Sequence, residues 1–209
     1  MDHGGTPVTS VAELEELIGT PLPAARDKSR DRLHEIDRAW LAAAPLCFIA
    51  TADASGDADV SPKGDPGGSL ALVLDDRTIA LAERPGNRRA DGFHNVLENP
   101  HVGLVFVLPG RGDTLRINGR ARLLRDAPYA ERLAVKGHVP ILVLEVSIDE
   151  VFFHCSKAFL RSRTWQPESW APDAAPRRAI IAKTLDRPAD DLAELEAYYG
   201  PAYAERLYC

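Results

Sequence analysis

The sequence predicts a mainly β protein of the α+β class, with about six or seven antiparallel strands in one barrel or sandwich and helical extensions at both ends. Three observations carry this. From Leu46 to Cys155, short apolar runs alternate with tight-turn signals such as "DASGD", "DDR" and "GRGD". A single amphipathic segment interrupts those strands midway. Before and after this stretch, apolar residues recur at helical spacing.

Taken in order, "SVAELEELIGTPLP" reads as a capped helix, with Ser10 as N-cap, Glu13 three residues on, and Gly19 and Pro21 as the stop. "DKSRDRLHEIDRAWLAAAP" places Leu33, Ile36, Trp40 and Leu41 at helical spacing up to Pro45. "LCFIATA" is a strand, "DASGD" its hairpin turn, and "ADVSPKG" an alternating strand that breaks at Pro62. "SLALVLDDRTIALAE" is a second hairpin. After "RPGNRRADGF" comes the amphipathic segment, with Phe93, Val96 and Leu97 on one face and Asn87 as its N-cap, so that Arg88 and Arg89 open a helix. "HVGLVFVLPG", "DTLRINGRARLL" and "PILVLEVSIDEVFFHC" are three further strands, with "DAPYAERLAV" a short helix before the last. Val105, Val107, Ile141 and Val143 supply more inward-facing hydrophobes than one small barrel readily uses. The end of the chain is helical, with an acidic face and a Pro- and Trp-rich approach.

The 209 residues form one domain: an N-terminal extension over 1–45, a core over 46–157 and a C-terminal extension over 158–209. The net charge of −6 and the pI near 5.5 argue against recruitment of nucleic acid or anionic membrane. No apolar run approaches the ~20 residues of a membrane helix. "MDHGGTPVTS" lacks a secretory pattern, and the odd, scattered Cys47, Cys155 and Cys209 suit a reducing compartment, so the expected location is cytoplasmic. P-loop, dinucleotide, C-x-x-C, H-E-x-x-H and G-x-S-x-G patterns do not occur, and no ligand set for a metal is suggested.

Two polar motifs remain. "DVSPKGDPGG" is either a wide solvated hairpin or a segment that turns Ser61, Lys63 and open backbone groups toward a flat polar ligand. "ERPGNRRADGF" is either a surface helix start, with arginines paired to Glu83, Asp91 or Glu98, or a phosphate site. In the second reading, free N–H groups and arginine forks meet a dianion.

The order of "DVSPKGDPGG", two strands, "RPGNRRADGFHNVLENPHVGLVF" and "LRINGRARL" resembles the pyridoxamine 5'-phosphate oxidase-like family of FMN-binding split barrels. More narrowly, it is similar to a bacterial branch of flavin-nucleotide-binding proteins. The likeness runs from about Leu46 to Lys157, and "CSKAFLRSRTW" is also typical of that branch. The resemblance implies a split β-barrel homodimer with FMN at the subunit interface. It places the FMN phosphate at Asn87, Arg88 and Arg89, and the ring along Val60 to Gly64, with Ser61, Lys63 and Gly64 as contacts and Arg84 at the adjoining strand end. Arg116 would reach the site from the partner subunit. "CSKAFLRSRTW" would close it, with Lys157, Arg161 or Trp165 near the ring, although Trp165 and Trp170 read more readily as packing against the barrel than as stacking on flavin. The implied function is an FMN-dependent oxidoreductase acting on a small molecule, with NAD(P)H as a candidate reductant. A non-catalytic flavin sensor, or a barrel using deazaflavin or heme, are the alternatives. The C-terminus "AYAERLYC" lacks the arginine and histidine motif of the authentic oxidases, so vitamin B6 oxidation is not implied.

Overall fold

The computed structural model describes residues 4–208. Helix α1 (Val11–Ile18) has Ser10 as N-cap, whose side chain accepts from the Glu13 amide at 3.1 Å. Glu13 reaches back to the Thr9 amide at 3.0 Å, one residue before the cap. The short α2 (Pro23–Arg26) follows. Helix α3 (Glu35–Ala43) begins later than the run of helical spacing implies, because Arg30 is spent elsewhere. Its backbone bridges Val151, and its guanidinium forks onto the buried Asp37. Asp37 also accepts from the His34 amide at 2.7 Å, so one carboxylate caps the helix and ties the N-terminal segment down.

Seven strands follow: β1 (Leu46–Ala52), β2 (Ala58–Gly64), β3 (Ala71–Val73), β4 (Thr78–Ala82), β5 (His101–Val107), β6 (Thr114–Leu124) and β7 (Val143–His154). Helix α4 (Asp91–Glu98) lies between β4 and β5. All pairings are antiparallel, and the sheet order is β2-β1-β5-β6-β7-β4-β3, so the sheet is not closed. Strand β2 runs through Pro62 to Gly64 instead of breaking there. It is an edge strand, where a missing N–H is tolerated. Opposite Gly119 the ladder between β6 and β7 shifts register, and a Cβ at that residue would lie 2.1 Å from the Ser147 carbonyl oxygen. Only glycine lets β7 bend past β6 there.

The strands bury one face. Cys47, Ile49, Leu104, Phe106, Leu115, Ile117, Val146 and Val151 form the core with Trp40 and Leu41 of α3 and Val96 of α4. The register puts a second band on the opposite face: Pro62, Phe48, Val105, Arg116 and Phe152 in one row, and Val60, Ala50, Gly103, Asn118 and Glu150 in the next. Val107 and Val143 are buried as expected. Val105 is half-buried on the outer band, and Ile141 is 83% exposed, which corrects the inward reading of both.

The "DAPYAERLAV" segment is a 3₁₀ turn over Ala130–Leu133. Past β7 come α5 (Lys157–Ser162), α6 (Arg178–Ile181), α7 (Leu192–Tyr198) and a 3₁₀ stretch over Pro201–Arg206. Among the described residues, no helix is long and apolar enough to cross a membrane.

Candidate functional site

A cleft of about 340 Å3 opens where β2, the end of β4 and the approach to α4 meet. That is within the range of roughly 300–1,000 Å3 usual for small-molecule sites. Ser61, Lys63, Arg84, Asn87, Arg88 and Arg89 all line it, so two motifs separated by a hairpin in sequence share one wall.

Strand alternation delivers the first group. Ser61 pairs with Ile49 and Lys63 with Cys47, so both side chains share the face of buried residues while Pro62 and Val60 point away. The Lys63 ammonium is 3.1 Å from Glu83 Oε2 and 4.9 Å from the centre of the Phe93 ring. This half-buried cation is held by a carboxylate and an aromatic face. Gly64 ends the strand and lies outside the cleft lining, beside a neighbouring cavity.

Helix α4 starts at Asp91, which corrects the expectation that Asn87 caps it and that the arginines open it. The Asn87 side chain instead accepts from the Arg89 amide at 3.0 Å, a local turn that holds the loop before the helix. Arg88 and Ala90 then both take left-handed backbone, with φ of 62° and 57°. Each such non-glycine residue costs on the order of 1–2 kcal/mol. Ala90 occupies the N-cap with no side-chain hydrogen bond, so no side chain answers the first N–H groups of α4. Arg89 pairs with Asp91 but remains 76% exposed. Arg88 is exposed and makes no ion pair among the described residues. Strained backbone, two projecting cations and an uncapped helix start thus meet at one end of the cleft.

Arg84 differs. Its Nε donates to Asp65 Oδ2 at 2.8 Å and its Nη2 to the Leu133 carbonyl at 2.8 Å. The side chains of Arg84 and Asp65 are 14% and 3% exposed. Asp65 also donates its amide to the Pro45 carbonyl and accepts from the Tyr208 hydroxyl at 2.9 Å. It is a hub joining the start of β1, the end of β4 and the C-terminus.

Besides Gly64, further expected residues are not in the cleft of the same chain. Arg116 is on the outer band, donating to Asn118 at 3.1 Å and lying 5.0 Å from the centre of the Phe152 ring. Lys157 and Arg161 are exposed on α5. Trp165 stacks on Phe159 at 5.5 Å and donates to the Arg111 carbonyl at 2.7 Å, which ties α5 to the turn between β5 and β6.

Several contributors lay beyond sequence reasoning. Asn95 donates to Thr51 at 3.1 Å and to Asp59 at 2.9 Å, which locks α4 against β1 and β2. A Cβ on Gly92 would lie 3.3 Å from Thr51 Oγ1, so glycine permits the close approach of α4 at the cleft. A glycine in the first turn of an amphipathic helix was the available signal for this.

The donor set fits a flavin mononucleotide. Arginine forks, an asparagine and unanswered helix N–H groups suit a phosphate dianion, and Ser61 and Lys63 suit the polar edge of a flat ring. The cleft lining holds no His, Cys, Met or Tyr, the side chains that ligate heme iron.

A family model described as pyridoxamine 5'-phosphate oxidase matches residues 33–155. No curated protein matches the chain. Among solved structures, the chain is similar to HupZ of Group A Streptococcus, with 21% identity over 58% of this chain and 93% of that one and a TM-score of 0.47. It is also similar to a Lactobacillus delbrueckii protein named for pyridoxamine 5'-phosphate oxidase, with 26% identity over 59% and 95% and a TM-score of 0.47. A third is a FAD-binding protein of Mesorhizobium loti, with 16% identity over 60% and 96% and a TM-score of 0.40.

Proposed function

This chain belongs to the pyridoxamine 5'-phosphate oxidase family, and we propose that it is an FMN-binding flavoprotein acting as an oxidoreductase on a small molecule. The observation that carries this reading is the meeting of Arg88, Arg89 and the uncapped start of α4 at one end of a cleft whose other wall is Ser61 and Lys63. Bound FMN would supply hydride or electron transfer. The chain's own residues do the rest. Arg88 and Arg89 hold the phosphate, with Asn87 fixing the loop that presents them. Lys63, steadied by Glu83, places a cation beside the ring position, where it favours negative charge. Arg84 and Asp65 keep the strand end rigid.

We also propose that the protein works as a homodimer. The outer band presents Phe48, Val60 and Ala50 to solvent, a contiguous apolar strip suited to a second copy. Arg116 is in that band, where a partner's cleft would meet it.

Purified protein should be yellow and should bind about one FMN per chain when titrated. A colourless protein that takes up no FMN would sink the reading. Anaerobic addition of NADH or NADPH then separates an oxidoreductase, whose flavin bleaches, from a sensor, whose flavin stays oxidised. Light scattering should give twice the chain mass, and Phe48→Asp should halve it.

A further inference from the structure

The main cleft adjoins a second cavity of about 530 Å3. Glu83, Arg84, Gly86, Arg88, Ala90 and Phe93 line both, so the two spaces share one wall. Phe93 is the apolar part of that wall, and Lys63 of the cleft lies 4.9 Å from the centre of its ring. The far side of the second cavity is residues 139–142, none of which lines the main cleft. That stretch is braced from both ends. Before it, Lys136 and Gly137 take left-handed backbone, with φ of 51° and 82°, and a bridge between Val135 and His138 closes the turn. After it, the Leu142 carbonyl accepts from the Glu83 amide at 2.9 Å, and Pro140 between them has a fixed φ. Val139 and Ile141 are thus held in water, 48% and 83% exposed, instead of turning into the core.

The polar side chains of this cavity are mostly engaged already. Glu83 pairs with Lys63, and Arg84 with Asp65. The Tyr208 hydroxyl donates to Asp65. Arg88 serves the phosphate in the FMN reading. That leaves His138, whose ring stacks on Tyr208 with centroids 6.4 Å apart and which is in no ion pair among the described residues. A space with apolar walls, no uncommitted carboxylate or guanidinium and one imidazole selects against charged ligands, because an ion moved there loses water and gains no counterion. It suits a ring compound with one hydroxyl or carbonyl, which the imidazole meets with a hydrogen bond.

We propose that this second cavity holds the non-reacting part of the substrate, and that the substrate is an uncharged, apolar ring compound. The proposal rests on the FMN reading for the chemistry, and occupancy of the cavity is tested apart from it. The probe is 2-naphthol, with 2-naphthyl phosphate as its charged counterpart, each titrated calorimetrically into the FMN-loaded chain and into the FMN-free chain. In the FMN-loaded chain, where the phosphate site is filled, 2-naphthol should bind at least ~10-fold more tightly than 2-naphthyl phosphate. Val139→Asp combined with Ile141→Asp, both at exposed positions outside the main cleft, should weaken 2-naphthol at least ~10-fold and leave FMN affinity within about twofold. His138→Ala, which removes one hydrogen bond, should weaken it about fivefold. Bound 2-naphthol should also shift the visible band of the flavin, since the two spaces share a wall. Equal binding of the two probes, or unchanged 2-naphthol binding in the double variant, overturns the proposal. An unchanged flavin band overturns the cavity's role as a substrate site. If light scattering shows that the double variant halves the mass of the protein, the loop is a contact between copies and the proposal falls. If the chain takes up no FMN, the cofactor reading fails on its own, and the FMN-free titrations of wild type and double variant still decide whether the cavity takes an apolar ring.

Discussion

Arg84 and the pair Arg88–Arg89 come from one ten-residue stretch, but their surroundings put them in different electrostatic regimes. Arg84 follows the end of β4 by two residues, and the fold surrounds it with a buried carboxylate and a backbone carbonyl. Arg88 and Arg89 stand four and five residues further on, in a strained loop open to water. A buried, hydrogen-bonded pair is costly to break, because removing one partner leaves a charge without solvent or counterion. An exposed pair adds little to stability, which leaves its cations available for a ligand. The comparison teaches that arginines near a cleft divide by what already satisfies them. Arg84 builds the wall, and Arg88 with Arg89 is the part free to answer an anion.

The largest expected effect is on the wall. Asp65→Ala strands Arg84 and should cost about 3–5 kcal/mol in urea unfolding. A loss under about 1 kcal/mol would erase the contrast between the two regions. Next comes the loop. Replacing Arg88 and Arg89 together with alanine should leave stability within about 0.5 kcal/mol. It should also weaken FMN binding by about 3 kcal/mol, roughly 150-fold in calorimetric titration. An unchanged affinity would move the phosphate elsewhere.

A pH effect sharpens the wall further. Burial, then the hydrogen bond to Asp65, holds the Tyr208 hydroxyl above the ordinary tyrosine range, opposed by Arg84. The neutral phenol is the form that donates. Its contribution is therefore complete below the unfolded value of about 10 and is lost as pH rises through the higher folded value. The charged and titratable groups around it are Asp65, Arg84, Lys136 and His138. The absorbance difference at about 295 nm between wild type and Tyr208→Phe should show this phenol ionising above pH ~10. Ionisation at or below that value would mean an unseated ring. The smallest effect is expected at the exposed pair: Asp91→Asn should change stability by less than about 0.5 kcal/mol, since Arg89 is already solvated. A larger loss would mean that the loop is as firmly built as the strand end.

The strands were legible because alternation and turns are local. "LCFIATA" and "ADVSPKG" match β1 and β2 residue for residue, since the side chains that face the core recur every second position. The same periodicity is the ground for the inward reading of Ser61 and Lys63, which the register with Ile49 and Cys47 bears out over a solvated hairpin. The start of α4 was misplaced for a physical reason. Asparagine serves both N-caps and local turns, and Asn87 forms the turn. The left-handed backbone at Arg88 and Ala90 has no signature in residues that rarely adopt it. The role of Asp65 was beyond reach because its partners, Arg84 and Tyr208, lie 19 and 143 residues away in the chain. Ile141 misled because a hydrophobic residue in an apolar run reads as buried, whereas the strand begins only at Val143.

Pro62 has one consequence that concerns growth of the sheet. The open ends of a sheet are templates on which foreign strands add and fibrils begin. Here one end is β2, which carries a residue without an N–H and a lysine on its inner face. The other is β3, only three residues long. Neither offers a long, fully paired rail. The same residue that interrupts the donor row beside the cleft therefore discourages strand capture and fibre formation. It leaves face-to-face contact across the outer band as the route by which two copies would assemble.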